Sequence, residues 1–98
     1  MDVHLVVVQG KPRGQNLRLT EGEFVIGRGP ECQIRPNSEW VSRQHCLLRI
    51  SDTDVHIRDL GSATGTLVNG IRIVEECPLR VGDQLHVGPL VLQLVKAA

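Results

Sequence analysis

The sequence predicts an all-β domain, a sandwich of two sheets, and three observations carry that expectation. Apolar residues recur in short alternating runs, and no window holds a 3.6-residue period long enough for a stable helix. The ten glycines and five prolines fall mostly between those runs, where turns belong. With one Phe, one Trp and no Tyr, the core must come from Val, Leu and Ile, and Val and Ile favour strands.

Taken in order, the β-branched run at 3–8 is a first strand, and turn residues follow at 9–14. Residues 15–19 alternate, Glu21 and Gly22 turn, and 23–26 run straight into Gly27-Arg28-Gly29-Pro30, a polar loop. A brief alternating piece at 32–34 precedes loop sequence at 35–39. Trp40 to Cys46 then packs Ser42, Arg43 and His45 just before an apolar strand. Cys46, Leu48 and Ile50 share one face, and Val55 and Ile57 answer them across a turn at 51–54, which makes a hairpin. A third polar loop, Gly61-Ser62-Ala63-Thr64-Gly65-Thr66, follows 57–60. Asn69-Gly70 is the strongest short hairpin signal in the chain, because this pair tolerates the positive φ angles of a type I′ turn. Short strands at 79–83, 84–88 and 90–95 complete the pattern.

Ninety-eight residues make one small domain, 1–98. The strand-like sequence at both ends suggests a module of a longer protein. Eleven basic residues balance eleven acidic ones, so nothing draws the whole molecule to nucleic acid or an anionic membrane, and any anion site must be local. Aromatic platforms for stacking bases are missing as well. No apolar run exceeds four residues, which argues against a membrane span and a signal peptide. Three cysteines, an odd number without close pairing, argue against a disulfide framework and for a reducing, intracellular setting.

The chemistry is concentrated in the three polar loops. Guanidinium forks, hydroxyl donors and backbone N–H groups in Gly-rich turns suit a phosphate dianion better than any other ligand. Arg28, between two glycines, can point outward from a sharp bend. Ser42 is open to two readings, a turn cap or a ligand, and His45, opening a buried strand, reads as structural. Asn69 has its turn with Gly70 as one role, and a side-chain amide that donates and accepts as another.

In this order, Gly-Arg-Gly at 27–29, Ser-x-x-His at 42–45 and Asp-Leu-Gly-Ser-x-x-Gly-Thr-x-x-Asn-Gly at 59–70 resemble the forkhead-associated (FHA) domain, over about residues 3–95. The resemblance implies a sandwich of about eleven strands with the ligand loops at one end, and a non-catalytic module that binds phosphothreonine peptides. It implies that Arg28, Ser42 and Arg43 hold the phosphate, that Thr64 and Asn69 contact the peptide, and that Gly27, His45, Ser62, Gly65 and Thr66 support the loops. Many relatives carry Thr-Asn where this chain has Ala63-Thr64, so a phosphate-side hydroxyl is lost and a peptide-gripping amide becomes a hydroxyl. The expected partner is a threonine-phosphorylated protein, with a Ser/Thr kinase acting upstream, met by a monomeric module.

Two other classes fit less well. An enzyme using Ser42, His45 and Asp59 lacks the Gly-x-Ser-x-Gly elbow and the Gly-x-x-x-x-Gly-Lys phosphate loop, and no Cys is followed by Arg six positions on. His4, His45, His56, His86 and the cysteines show no metal-ligand spacing, so neither metal nor cofactor is expected. A module that docks or self-associates without phosphate is the remaining alternative, against which stands the retention of Arg28, Ser42, Arg43 and Asn69 together.

Overall fold

A computed structural model describes residues 2–10 and 13–97. Lys11 and Pro12, part of the expected loop at 9–14, lie outside the described residues. Ten strands and no helix are found among them: β1 (Val3–Gln9), β2 (Asn16–Leu19), β3 (Gly22–Ile26), β4 (Cys46–Ile50), β5 (Val55–Asp59), β6 (Thr66–Val68), β7 (Ile71–Arg72), β8 (Cys77–Pro78), β9 (Gln84–Val87) and β10 (Leu90–Lys96). They form two antiparallel sheets, one ordered β2-β1-β10-β9-β6-β7 and the other β3-β4-β5-β8.

The alternation seen in sequence is what turns each strand toward the core. Val3, Leu5 and Val7 of β1 are buried while the residues between them are half-exposed. On the neighbouring strand Leu94 and Leu92 stand opposite Leu5 and Val7. From the second sheet Cys46, Leu48, Ile50, Val55 and Ile57 fill the other side of the same cluster. Fully burying one such Leu or Ile contributes about 1.5–3 kcal/mol, and a one-residue slip would send the whole set into water. The hairpin at 51–54 closes on Ser51, whose hydroxyl accepts from the N–H groups of Thr53 and Asp54. Asn69-Gly70 turns as expected, with φ of 52° and 81° between the paired residues Val68 and Ile71.

Two expected strands are absent and one forms where none was expected, which gives ten in place of about eleven. At 32–34 only Ile34 pairs, through an isolated parallel bridge to Ile26. Around 79–83 the chain pairs earlier instead, at Cys77–Pro78, on the edge of the smaller sheet, where a proline costs no ladder bond. Arg80 to Asp83 then turns, with the Asp83 carboxylate accepting from the Arg80 N–H and Gly82 at a φ of 97°.

The register positions the functional end. Ile26, Cys46 and Asp59 lie side by side across β3, β4 and β5. The loops leaving β3 and β5 therefore emerge at the same end of the smaller sheet. The second of them crosses to the larger sheet, where Thr66 opens β6.

Candidate functional site

The first loop is held by the backbone of the second. Arg28 N–H donates to the Ser42 carbonyl and Gly29 N–H to that of Arg43, each at 3.1 Å. Contact this close explains Gly27: a Cβ there would lie 2.1 Å from the Arg43 carbonyl oxygen, closer than any real contact. Arg28 is exposed and spends one guanidinium N–H, Nε, on the Val41 carbonyl at 2.9 Å. That bond orients the fork and leaves its outer N–H groups facing solvent.

His45 ties the second loop to the third. It is 0% exposed, its Nδ1 accepts from Ser42 N–H at 3.1 Å, and its Nε2 lies 2.8 Å from the Gly65 carbonyl. A backbone N–H can only donate and a carbonyl only accept, so the ring is neutral with its proton on Nε2. The Ser42 hydroxyl oxygen accepts from Ala63 N–H at 3.0 Å, which leaves its own proton free to donate. Thr64, exposed, donates its hydroxyl to the Trp40 carbonyl at 3.1 Å.

Asp59 organises the third loop, a role that sequence reasoning passed over although an Asp two and three residues ahead of Gly61 and Ser62 is an Asx-turn signal. One carboxylate oxygen accepts from the N–H groups of Gly61 and Ser62, at 2.9 and 3.0 Å; the other accepts from the hydroxyls of Ser62 and Thr66. Ser62 in turn accepts from Gly65 N–H at 3.0 Å, and Gly65 supplies the left-handed φ of 87° that the loop needs. Burial pushes the Asp59 carboxyl up, but the hydrogen bonds from Ser62, Thr66 and Gly61 outweigh it and hold the pKa below the ordinary carboxylate range.

A lowered folded-state pKa contributes stability that is fully present above about pH 4, the unfolded value, and is lost as pH falls through the folded value. Asp59→Asn is accordingly expected to cost about 2 kcal/mol at neutral pH and to flatten the acid limb of the stability curve. Urea unfolding between pH 2 and 7 checks this, and parallel curves for the two proteins would refute it. The Cys46 thiol, by contrast, is pushed up to about 12 by burial. It is a core residue without nucleophilic character.

Gly27, Arg28, Ser42, Arg43, His45, Ser62, Thr64, Gly65 and Thr66 are thus brought to one end of the sandwich. Asn69 is not. β6 starts at the site with Thr66 opposite Val87 and runs away from it, with Val68 opposite Leu85. Asn69, three residues past Thr66, lies about 10 Å along that strand. Its amide nitrogen donates to Asp83 at 3.0 Å and its oxygen accepts from Gln84 N–H at 2.9 Å. These bonds support one of the two readings open to Asn69, a turn locked to the start of β9. The residue that returns to the site is Arg72, which pairs opposite Leu67 on β7 and whose guanidinium lies where a Cβ on Gly65 would meet it at 2.9 Å. The Asn-Gly turn was the signal that could have found it, since a two-residue hairpin sets the register of its return strand.

The FHA domain family model matches residues 24–88, from within β3 to just past the end of β9 and so across all three loops. FhaB of Mycobacterium tuberculosis, an FHA domain-containing protein, is 24% identical over 93% of this chain and 59% of its own length. The oxoglutarate dehydrogenase inhibitor of Corynebacterium efficiens is 33% identical over 86% of this chain and 58% of its own. This chain therefore spans about three fifths of the length of these relatives. A solved FHA domain described for its phosphothreonine-dependent interactions superimposes with a TM-score of 0.88 at 31% identity, covering 100% of this chain and 99% of that one. With the family model crossing all three loops and a solved member superimposing along the whole chain, this chain belongs to the FHA domain family.

Proposed function

We propose that the three-loop end binds a threonine-phosphorylated segment of a partner protein and that the domain serves signalling as a non-catalytic adaptor. One observation carries the reading: the outer N–H groups of Arg28 and the free Ser42 hydroxyl proton belong to loops already locked to each other by hydrogen bonds. Neither Arg28 nor Arg43 has an ion-pair partner among the described residues. Donors held in place lose little freedom when an anion arrives, and charge-assisted bonds to phosphate are the strong kind. The likeness to an FHA domain with phosphothreonine-dependent interactions supports the same ligand. A Ser/Thr kinase acting on the partner and an intracellular setting, in which the three free cysteines stay reduced, go with this reading.

Calorimetry with one peptide in its threonine, phosphothreonine and phosphoserine forms tests it. The phosphothreonine form is expected to bind, the unmodified form not, and phosphoserine about fivefold more weakly, since an apolar slot for the threonine methyl is worth on the order of 1 kcal/mol. Equal binding of modified and unmodified peptide would favour docking without phosphate.

Thr64 offers a second check on the same site. Its hydroxyl proton is committed to Trp40, so it can only accept from a ligand, whereas an asparagine amide both donates and accepts. Thr64→Asn is expected to tighten phosphothreonine-peptide binding about fivefold, one added hydrogen bond of about 1 kcal/mol. Unchanged or weaker affinity in a folded variant would restrict Thr64 to bracing the Trp40 loop.

A further inference from the structure

Asn69 and Gly70, at the tip of the β6–β7 hairpin, stand where an asparagine side chain can react with its own backbone. Both are exposed, and nothing lies within 4 Å of where a Gly70 Cβ would sit, so no other part of the chain screens the Gly70 nitrogen. The Gly70 N–H has no acceptor among the described residues and faces water. What restrains the pair is the hold on the Asn69 side chain. Its Nδ2 donates to Asp83 Oδ1 at 3.0 Å, and its Oδ1 accepts from the Gln84 N–H at 2.9 Å. Asp83 is itself fixed, because its other carboxylate oxygen accepts from the Arg80 N–H at 2.8 Å. The Asn69 amide is therefore pinned to the start of β9 until a local opening of the hairpin frees it, and exposed hydrogen bonds open at far less cost than the whole fold.

We propose that Asn69 is a deamidation site whose rate is governed by the bonds to Asp83 and Gln84. When they open, the Gly70 nitrogen gives its proton to solvent and attacks the Asn69 side-chain carbon. A C–N bond forms, the Cγ–Nδ2 bond breaks, and ammonia leaves. Water then opens the cyclic imide at either carbonyl, giving aspartate or its β-linked isomer at this position. The balance is one water consumed and one ammonia released, with no oxidant or reductant. Glycine favours the closure, since it brings no Cβ to hinder its own nitrogen. The products cannot restore the hold. An aspartate sets a second carboxylate against Asp83, like charge facing like charge where a donor stood. The β-linked isomer lengthens the backbone of a two-residue turn and so disturbs the register that the turn sets. The return strand affected carries Arg72, beside Gly65, and leads to the Ile73 N–H that donates to the Thr66 carbonyl. Chemistry at the hairpin tip thereby reaches the third polar loop.

The test holds the protein at mildly alkaline pH and follows each asparagine by peptide mapping, folded and in urea. Asn16, before Leu17, and Asn37, before Ser38, serve as internal controls. In urea Asn69 is expected to convert first. In the folded protein it is expected to convert at least about tenfold more slowly than in urea, yet measurably. Asp83→Ala, shown to be folded by its unfolding transition, is expected to speed the folded-state conversion at least about threefold. The product is read separately, so that a failure of Asp83→Ala to fold leaves the proposal open to refutation. Asn69→Asp is expected to lower the melting temperature by about 5 °C, and by less than half as much in an Asp83→Asn background, where the facing charge is gone. No conversion at Asn69 in the folded protein, or equal rates folded and unfolded, overturns the proposal. So does a parent-like rate in folded Asp83→Ala, or an Asn69→Asp effect that is the same in both backgrounds.

Discussion

Replacing Arg28 with alanine is expected to weaken binding of a phosphothreonine peptide by about ten- to a hundredfold, the equivalent of one charge-assisted hydrogen bond of about 1.5–3 kcal/mol. The fold should tolerate the change. Arg28 is exposed, and the one bond its side chain makes among the described residues, from Nε to the Val41 carbonyl, is worth about 1 kcal/mol. Arg28→Lys separates charge from geometry, because lysine keeps the positive charge but can neither fork nor hold the Val41 carbonyl while facing the ligand. It is expected to fall between the parent and Arg28→Ala. Ser42→Ala should give a loss toward the lower end of that range, since it deletes the hydroxyl while leaving the backbone bonds of the second loop intact. Titration of all three variants with one peptide, beside their unfolding midpoints, is the measurement. Parent-like affinity in both Arg28→Ala and Ser42→Ala would move the site elsewhere on the molecule.

The second large effect falls on stability. His45→Ala is expected to cost about 3 kcal/mol, which for a domain of this size lowers the melting temperature by roughly 15 °C. His45 is fully buried, with both ring nitrogens engaged, so its removal leaves the Gly65 carbonyl and the Ser42 N–H without partners and opens a void between two loops. Peptide affinity should fall as well, but through the loosened loops, because the ring itself has no free donor to offer a ligand. Thermal and urea unfolding of the variant decide this, and an unchanged midpoint with abolished binding would make His45 a ligand residue after all.

Much of this site is legible in the amino-acid sequence alone. Gly27, Arg28, Ser42 and His45 announce themselves by residue type and spacing, since a sharp turn needs glycine and a phosphate needs donors. Where a residue has two roles open to it, however, the local pattern cannot choose. Asn69 shows why: the positive φ of its turn is a property of a dipeptide, whereas its distance from Thr66 depends on which way β6 runs from the site. A strand length of about 10 Å separates it from Thr66.

The all-β class, the two hairpins at 51–54 and 69–70 and the identity of the three polar loops follow from residue order, because alternation and turn chemistry are local and act within a few residues. Which chain segments meet is set by long-range packing. The strand expected at 79–83 gave way to pairing at Cys77–Pro78, since alternation marks a residue for burial without naming its partner. Asp59 takes its bonds from Gly61 and Ser62 within its own turn, and the tertiary structure adds the one from Thr66, which opens β6 on the other sheet. Arg72 came beside Gly65 through a returning hairpin strand, a pairing made by backbone groups that every residue shares and no residue type betrays.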